Sequence, residues 1–347
     1  VGIPLCHNRL QGYPFHHIMQ KVLLVGCGFM GKMHASAYAK LDSVTMAGFV
    51  DCRIERAEAF AKEYGGGAFT TLSEALAATD CTMVDICLPT DLHAEFTCEA
   101  ARAGKHVLCE KPMALNLADG QRMADACKAA GVELFIGHCI RYWPEYAYLK
   151  KLVDSGELGQ LQHINLTRCG EFPHWSSDNW LADPNRSGGG ALDMRIHDTD
   201  FVLYLLGTPD EAVSHGHMDE RGVGISVTLM RFGRTSAVLD GGWSWHPGVP
   251  FRMSFRALFE RGSVWFEGGP LTVYPATGEP YTPEFEVMKA EGGGNLSDLG
   301  GYFLEIKDFV EHLERGESTT IVTPQTSLRS LEVCLEEVRQ ISKAYAP

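Results

Sequence analysis

From residue 21 onward, short apolar runs alternate with longer stretches in which apolar positions recur every three or four residues. The runs "KVLLV" (21–25), "VTMAGFV" (44–50), "MVDICL" (83–88), "HVLC" (106–109) and "VELFIG" (132–137) are β-prone and nearly continuously apolar, as strands covered on both faces are. Between them lie helical patterns such as "RIERAEAFAKEYG", "TDLHAEFTCEAARAG" and "NLADGQRMADACKAAG". Each of these ends in Gly, the usual helix stop. This alternation predicts an α/β fold built on a doubly wound parallel sheet with helices on both faces.

Near Tyr142 the pattern changes. A helix over 145–155 leads into "QLQHINLTRCG", a loop rich in Trp, Pro and Gly, and a helix over "ALDMRIHDTDFVLYLLG". Strand candidates then follow one another: "GISVTLMRF", "TSAVLDGGWSW", "FRMSFRALFE", "GSVWFEG" and "LTVYP". Strands without intervening helices predict a largely antiparallel sheet. Two helical stretches close the chain over 301–346. The expected division is a doubly wound α/β unit at 19–142 and an α+β unit at 143–347, whose closing helices can pack back on the first. Residues 1–18 show no period, and Met19 stands where a natural start would. They are expected to be an extension outside the fold.

Composition narrows the function. The 347 residues carry a net charge of −14, which repels nucleic acid phosphates and anionic membranes. No run approaches the ~18 apolar residues that span a bilayer. The 11 cysteines contain no C-x-x-C pair, so neither a disulfide framework nor a structural zinc site is expected. A reducing compartment, the cytoplasm, follows as the expected location.

The first run enters "GCGFMGKMH", where Gly26, Gly28 and Gly31 form G-x-G-x-x-G between a strand and a helix. In that setting the glycines allow a tight turn, approach of backbone to a pyrophosphate, and close helix–strand packing. Asp51 ends the second strand, 20 residues past Gly31, where a carboxylate accepts hydrogen bonds from an adenosine ribose. The expected cofactor is therefore NAD. Arg53 and Arg56, which can accommodate a 2′-phosphate, keep NADP open, and a purely structural turn is the alternative.

Candidates for chemistry lie at strand ends. Lys111, in "CEKPMALN", can donate to a substrate oxygen or relay a proton, or can be an ordinary surface lysine. Asp193 and His197 stand four apart in "SGGGALDMRIHDTD", on one face of the predicted helix. They suit proton transfer, or a helix cap with a satisfied histidine. Asp200 lies near the same face. His93, in "PTDLH", and Arg141, in "RYWPEY", can flank nicotinamide or substrate, or serve structure. Phe29 and Met30 in the turn, with Pro89, Thr90 and Glu110 at strand ends, complete the candidate cofactor contacts. Trp175 is a candidate wall for the C–H face of a sugar ring. No convincing metal cluster is seen.

Together, "GCGFMGKMH", "FVDCRIERA", "LPTDLH", "AGKHVLCEKPMALN", "RYWPEY" and "GGGALDMRIHDTD" resemble the Gfo/Idh/MocA oxidoreductases, the glucose–fructose oxidoreductase and inositol dehydrogenase group. The resemblance implies a Rossmann domain followed by an α+β domain with an open, mostly antiparallel sheet that often forms a dimer or tetramer interface. It implies hydride transfer between NAD(P) and a secondary hydroxyl of a sugar, cyclitol or derivative. Lys111 matches the lysine that orients substrate and relays protons, His197 the acid/base, Asp193 its carboxylate partner, and Asp200 a carboxylate that contacts substrate hydroxyls. "LPT" departs from the usual T-P-N, without loss of a chemical group. Relatives that use bound NAD for redox-neutral glycoside cleavage offer a second reading, and a non-enzymatic nucleotide-binding protein a third.

Overall fold

The computed structural model describes residues 19–285 and 300–345. The segment read as an extension lies outside them. Six parallel strands form the first sheet: β1 (Gln20–Val25), β2 (Val44–Val50), β3 (Gly67–Phe69), β4 (Met83–Ile86), β5 (His106–Glu110) and β6 (Leu134–Gly137). Their spatial order is β3-β2-β1-β4-β5-β6. Helices α1 (Phe29–Tyr38), α2 (Ile54–Tyr64), α3 (Leu72–Ala78), α4 (His93–Arg102) and α5 (Leu117–Ala130) make the crossovers. Strand order reverses between β1 and β4, so a crevice opens at their carboxyl ends, where such sheets bind ligands. Val22, Leu23, Leu24, Val84, Leu108 and Phe135 are completely buried, which explains the unbroken apolar runs. Strand β3 was not anticipated. It is a three-residue, half-buried edge, too short to leave a pattern.

Helix α6 (Pro144–Ser155) leads into the second domain. There β7 (Leu161–Glu171) precedes α7 (Pro184–Ser187), α8 (Gly189–Asp193) and α9 (Ile196–Leu206). The strands β8 (Glu211–Asp219), β9 (Gly222–Phe232), β10 (Thr235–Trp245), β11 (Arg252–Phe259), β12 (Gly262–Phe266) and β13 (Thr272–Pro275) follow. The sheet order is β13-β12-β11-β7-β10-β9-β8, antiparallel except where β7 runs parallel to β10. One face is buried: Ile164, Leu166, Leu239, Phe255 and Val264 are at most 1% exposed. Tyr146 of α6 packs edge-on to Phe201 of α9 and Phe255 of β11, with centroids 4.9 and 5.0 Å apart. Strand β8, a polar edge, gave no strand signal in the sequence. The predicted single helix over 191–207 is broken at Met194–Arg195 into α8 and α9.

Helices α10 (Gly300–Arg315) and α11 (Pro324–Lys343) join the two halves. Phe309 of α10 stacks on Phe135 of β6 at 5.1 Å, while Cys334 of α11 touches the Ala191 carbonyl of α8. At the junction, Arg141 donates to both oxygens of Asp200, at 2.8 and 2.6 Å, and to the Ile321 carbonyl and Thr326. Ser330 donates to the same carboxylate at 2.7 Å. Both side chains are 1% exposed. Arg141, expected at the cofactor, and Asp200, expected at the substrate, engage each other inside the domain junction.

Burial pushes the Asp200 carboxyl up, but Arg141, His138 and the Ser330 hydroxyl outweigh it and hold the group below the usual carboxylate range. Its contribution is therefore present above the unfolded value near ~3.9 and is lost as pH falls through the lower folded value. Removing one partner leaves a buried unpaired charge. Arg141→Leu is expected to cost about 3–5 kcal/mol in urea unfolding, and Arg141→Leu/Asp200→Leu to recover much of it.

Candidate active site

The glycine turn is built by close approach. A Cβ on Gly26, which has φ +100, would lie 2.3 Å from the Cys87 carbonyl oxygen, and one on Gly31 would lie 2.0 Å from the Gly26 carbonyl oxygen. Gly28 faces open space. Helix α1 begins at Phe29, so its free N–H groups look across the turn. Asp51, 9% exposed, ends β2 and accepts from the Cys27 amide at 3.0 Å and the Arg53 amide at 2.9 Å. These bonds aim the carboxylate along the crevice with lone pairs to spare. A bare turn, an open Gly28 and an oriented acid fit the pyrophosphate and ribose of a dinucleotide.

Lys111 follows β5 at the crevice. Its ammonium donates to the Asp193 carbonyl at 2.8 Å and to the Asp193 carboxylate at 3.1 Å. The two side chains are 15% and 16% exposed, so the pair is sheltered but reachable. Asp193 ends α8 and His197 lies in the first turn of α9, with Met194 and Arg195 between them still in right-handed helical conformation. No hydrogen bond joins Asp193 to His197, and Lys111 is the ionic partner of Asp193. The His197 Nδ1 atom is buried and has no partner among the described residues. Burial pushes the His197 pKa well below 6.5, and the positive charges of Lys111 and Arg168, with His138, push the same way. His197 is therefore a neutral imidazole at pH 7, able to accept a proton.

Under this pair lies a buried network that the sequence reading missed. His34 of α1 is completely buried, its Nδ1 2.8 Å from Asp85 and its Nε2 3.1 Å from Glu110. Burial pushes its pKa down, but Asp85 and Cys87 raise it well above 6.5 overall, so an imidazolium bridges two carboxylates. Glu110 then accepts the Lys111 backbone N–H at 3.0 Å. Glu305 of α10 adds a third acid, whose pKa burial and Glu110 raise well above the usual value, so it is neutral. Glu110, expected at the cofactor, turns inward and holds Lys111 in place. Asp85 carried a signal: it is the one charge inside the apolar run "MVDICL", and a buried charge requires a partner.

His93 also departs from expectation. Its ring lies between two carbonyls, Nδ1 2.9 Å from Pro112 and Nε2 2.9 Å from Leu88. Burial lowers its pKa below 6.5, so the ring is neutral and its single N–H donates to one of these carbonyls, with the ring packed between the loop after β4 and the loop carrying Lys111. Pro89 and Thr90 lie in that first loop, with Thr90 buried. Met30 packs against the core. Trp175, a candidate pocket wall, lies at the glycine turn. Its ring packs on Phe29 of the glycine turn, centroids 4.9 Å apart. Arg56 donates to Ser177 at 2.8 Å.

Residues 20–138 match the model of an oxidoreductase family with an NAD-binding Rossmann fold, GFO/IDH/MocA, and residues 146–265 match the C-terminal domain of the same family. The chain belongs to the GFO/IDH/MocA oxidoreductases. An inositol 2-dehydrogenase from Rhizobium meliloti is 28% identical over 311 residues, covering 84% of this chain and 88% of the relative. A myo-inositol 2-dehydrogenase from Thermotoga maritima is 32% identical over 194 residues, covering 56% of this chain and 57% of the relative. With the Thermotoga protein, as with several curated relatives, the match spans only about half of the relative's length. The fold also matches levoglucosan dehydrogenase solved with NADH and levoglucosan, with TM-score 0.81 and 23% identity, covering 93% of this chain and 96% of that one.

Because its folded pKa lies below the unfolded value, neutral His197 favours the folded state above pH ~6.5, and that contribution declines as pH falls from there towards the folded pKa. NMR titration of the imidazole is expected to give a midpoint well below 6.5, and Lys111→Met to raise it by removing a nearby positive charge. A midpoint at or above 6.5 in the native protein would contradict the assigned neutral state.

Proposed function

We propose that this GFO/IDH/MocA chain is an NAD-dependent dehydrogenase acting on a secondary hydroxyl of a sugar, cyclitol or sugar derivative. The observation that carries the reading is the Lys111 ammonium, held at the crevice edge by the carbonyl and carboxylate of Asp193, four residues before His197 with its buried, unpartnered Nδ1. Bound NAD supplies the hydride acceptor. Asp51 and the glycine turn would hold its ribose and pyrophosphate. His197, neutral at pH 7, takes the hydroxyl proton. Lys111 donates a hydrogen bond to the same oxygen and stabilises the charge that develops there. Asp193 keeps the ammonium oriented, and Glu110, braced by His34, keeps the backbone of Lys111 at the strand end. The inositol and levoglucosan enzymes among its relatives support a polyol or sugar as substrate.

The experiment is a panel of inositols, sugars and glycosides with NAD or NADP, read by near-ultraviolet nicotinamide absorbance together with product analysis. A polyol or sugar is expected to reduce NAD. Lys111→Met and His197→Asn are expected to lower kcat at least ~10²-fold while the protein still binds NAD. Full turnover in either variant would overturn the assignment.

The outward face of the second sheet supports self-association. Leu229, Val227, Leu258, Trp265 and Tyr274 are each more than 40% exposed on it, and exposed large apolar side chains on one sheet face suit burial against a partner. A second copy meeting this face gives a homodimer or homotetramer. Light scattering is expected to show an oligomer that Leu229→Glu/Trp265→Glu dissociates. The ten described cysteines are all unpaired, which supports a cytoplasmic setting. No described helix is long and apolar enough to cross a membrane.

A further inference from the structure

The loop after β7 crosses from the second domain to the dinucleotide turn and touches it at two points. Trp175 lies on Phe29, between Gly28 and Gly31, yet remains 57% exposed. Three residues on, Asp178 accepts from the Arg53 guanidinium, and Ser177 accepts from Arg56. Arg53 is also the residue whose amide is bound by the Asp51 carboxylate. Both cations beside the ribose-binding acid are therefore engaged from the other domain. The chain adopts a special backbone to do this: Asp178 and Asn179 have φ 54 and 53, a left-handed pair that Asp and Asn tolerate better than other non-glycine residues.

We propose that residues 175–178 complete the coenzyme site from the second domain, and that Asp178 makes the site selective for a coenzyme with a free 2′-hydroxyl. The proposal rests on the NAD reading above. A 2′-phosphate is a dianion that needs an unengaged cation. Arg53 is already paired with Asp178, and a phosphate drawn to it would have to displace one carboxylate while standing near another, Asp51. A hydroxyl meets neither obstacle and accepts or donates to Asp51. Trp175 contributes apolar surface over the turn and carries no charge, so it does not discriminate.

The test is calorimetric titration of the full chain with NAD and with NADP, which requires no substrate. The native protein is expected to bind NAD more tightly. Asp178→Asn keeps a residue suited to the left-handed conformation and removes only the charge. It is expected to lower the ratio of the NADP to the NAD dissociation constant about tenfold, equivalent to about 1.4 kcal/mol, chiefly through tighter NADP. Adding Arg53→Ala is expected to abolish that gain, and Trp175→Ala to weaken both coenzymes alike. NAD binding with a ratio unchanged by Asp178→Asn overturns the proposal alone. Failure of the native protein to bind either coenzyme overturns the NAD reading and this proposal with it.

Discussion

The contact between the Lys111 ammonium and Asp193 is the constraint on which the rest of the site depends. The two residues are 82 positions apart and come from different domains. A lysine at the end of β5 is useful only if its head is held at a defined point, and Asp193 supplies both a carbonyl and a carboxylate for it. Because the pair is sheltered, its electrostatics are stronger than those of a surface ion pair. The same ammonium lowers the basicity of His197 and so keeps a proton acceptor neutral beside a cation.

Behind that contact the Rossmann domain places charge where a doubly wound sheet ordinarily has only aliphatic side chains. Asp85, Glu110 and His34 are buried together, and Glu305 arrives from a helix near the end of the chain. One imidazolium lies between two carboxylates, and the third acid is neutral. The arrangement makes the strand end rigid: Glu110 grips the Lys111 amide, and the neutral His93 ring packs between Pro112 and the neighbouring loop. Residues away from the crevice thus determine where the Lys111 ammonium stands.

Much of this was legible in the chain. Alternating apolar runs implied the parallel sheet, the glycine turn with Asp51 implied a dinucleotide, and the triplet at 110–112 with "GGGALDMRIHDTD" implied the family. The misses have physical causes. Strand β3 is too short, and β8 too polar, for a period to show. Arg195, between α8 and α9, is completely buried and its Nε reaches Ser226 of β9 at 3.1 Å. That is a long-range contact that helical spacing cannot reveal. Arg141, Asp200 and His93 have side chains equally suited to binding and to internal bridging, and only their surroundings distinguish the two.

By itself the sequence determined which elements form, where the nucleotide turn lies and which residue types stand at the strand ends, because these follow from short-range periodicity, glycine geometry and spacing. Only the tertiary structure decided which charges meet. It paired Lys111 with Asp193 rather than Asp193 with His197, turned Asp200 inward to Arg141, and laid Trp175 and Asp178 against the dinucleotide turn. Pairing across 59 to 125 residues depends on how two domains pack. The free energy of each such pair is set by burial and distance, neither of which is a property of a residue's neighbours in the chain.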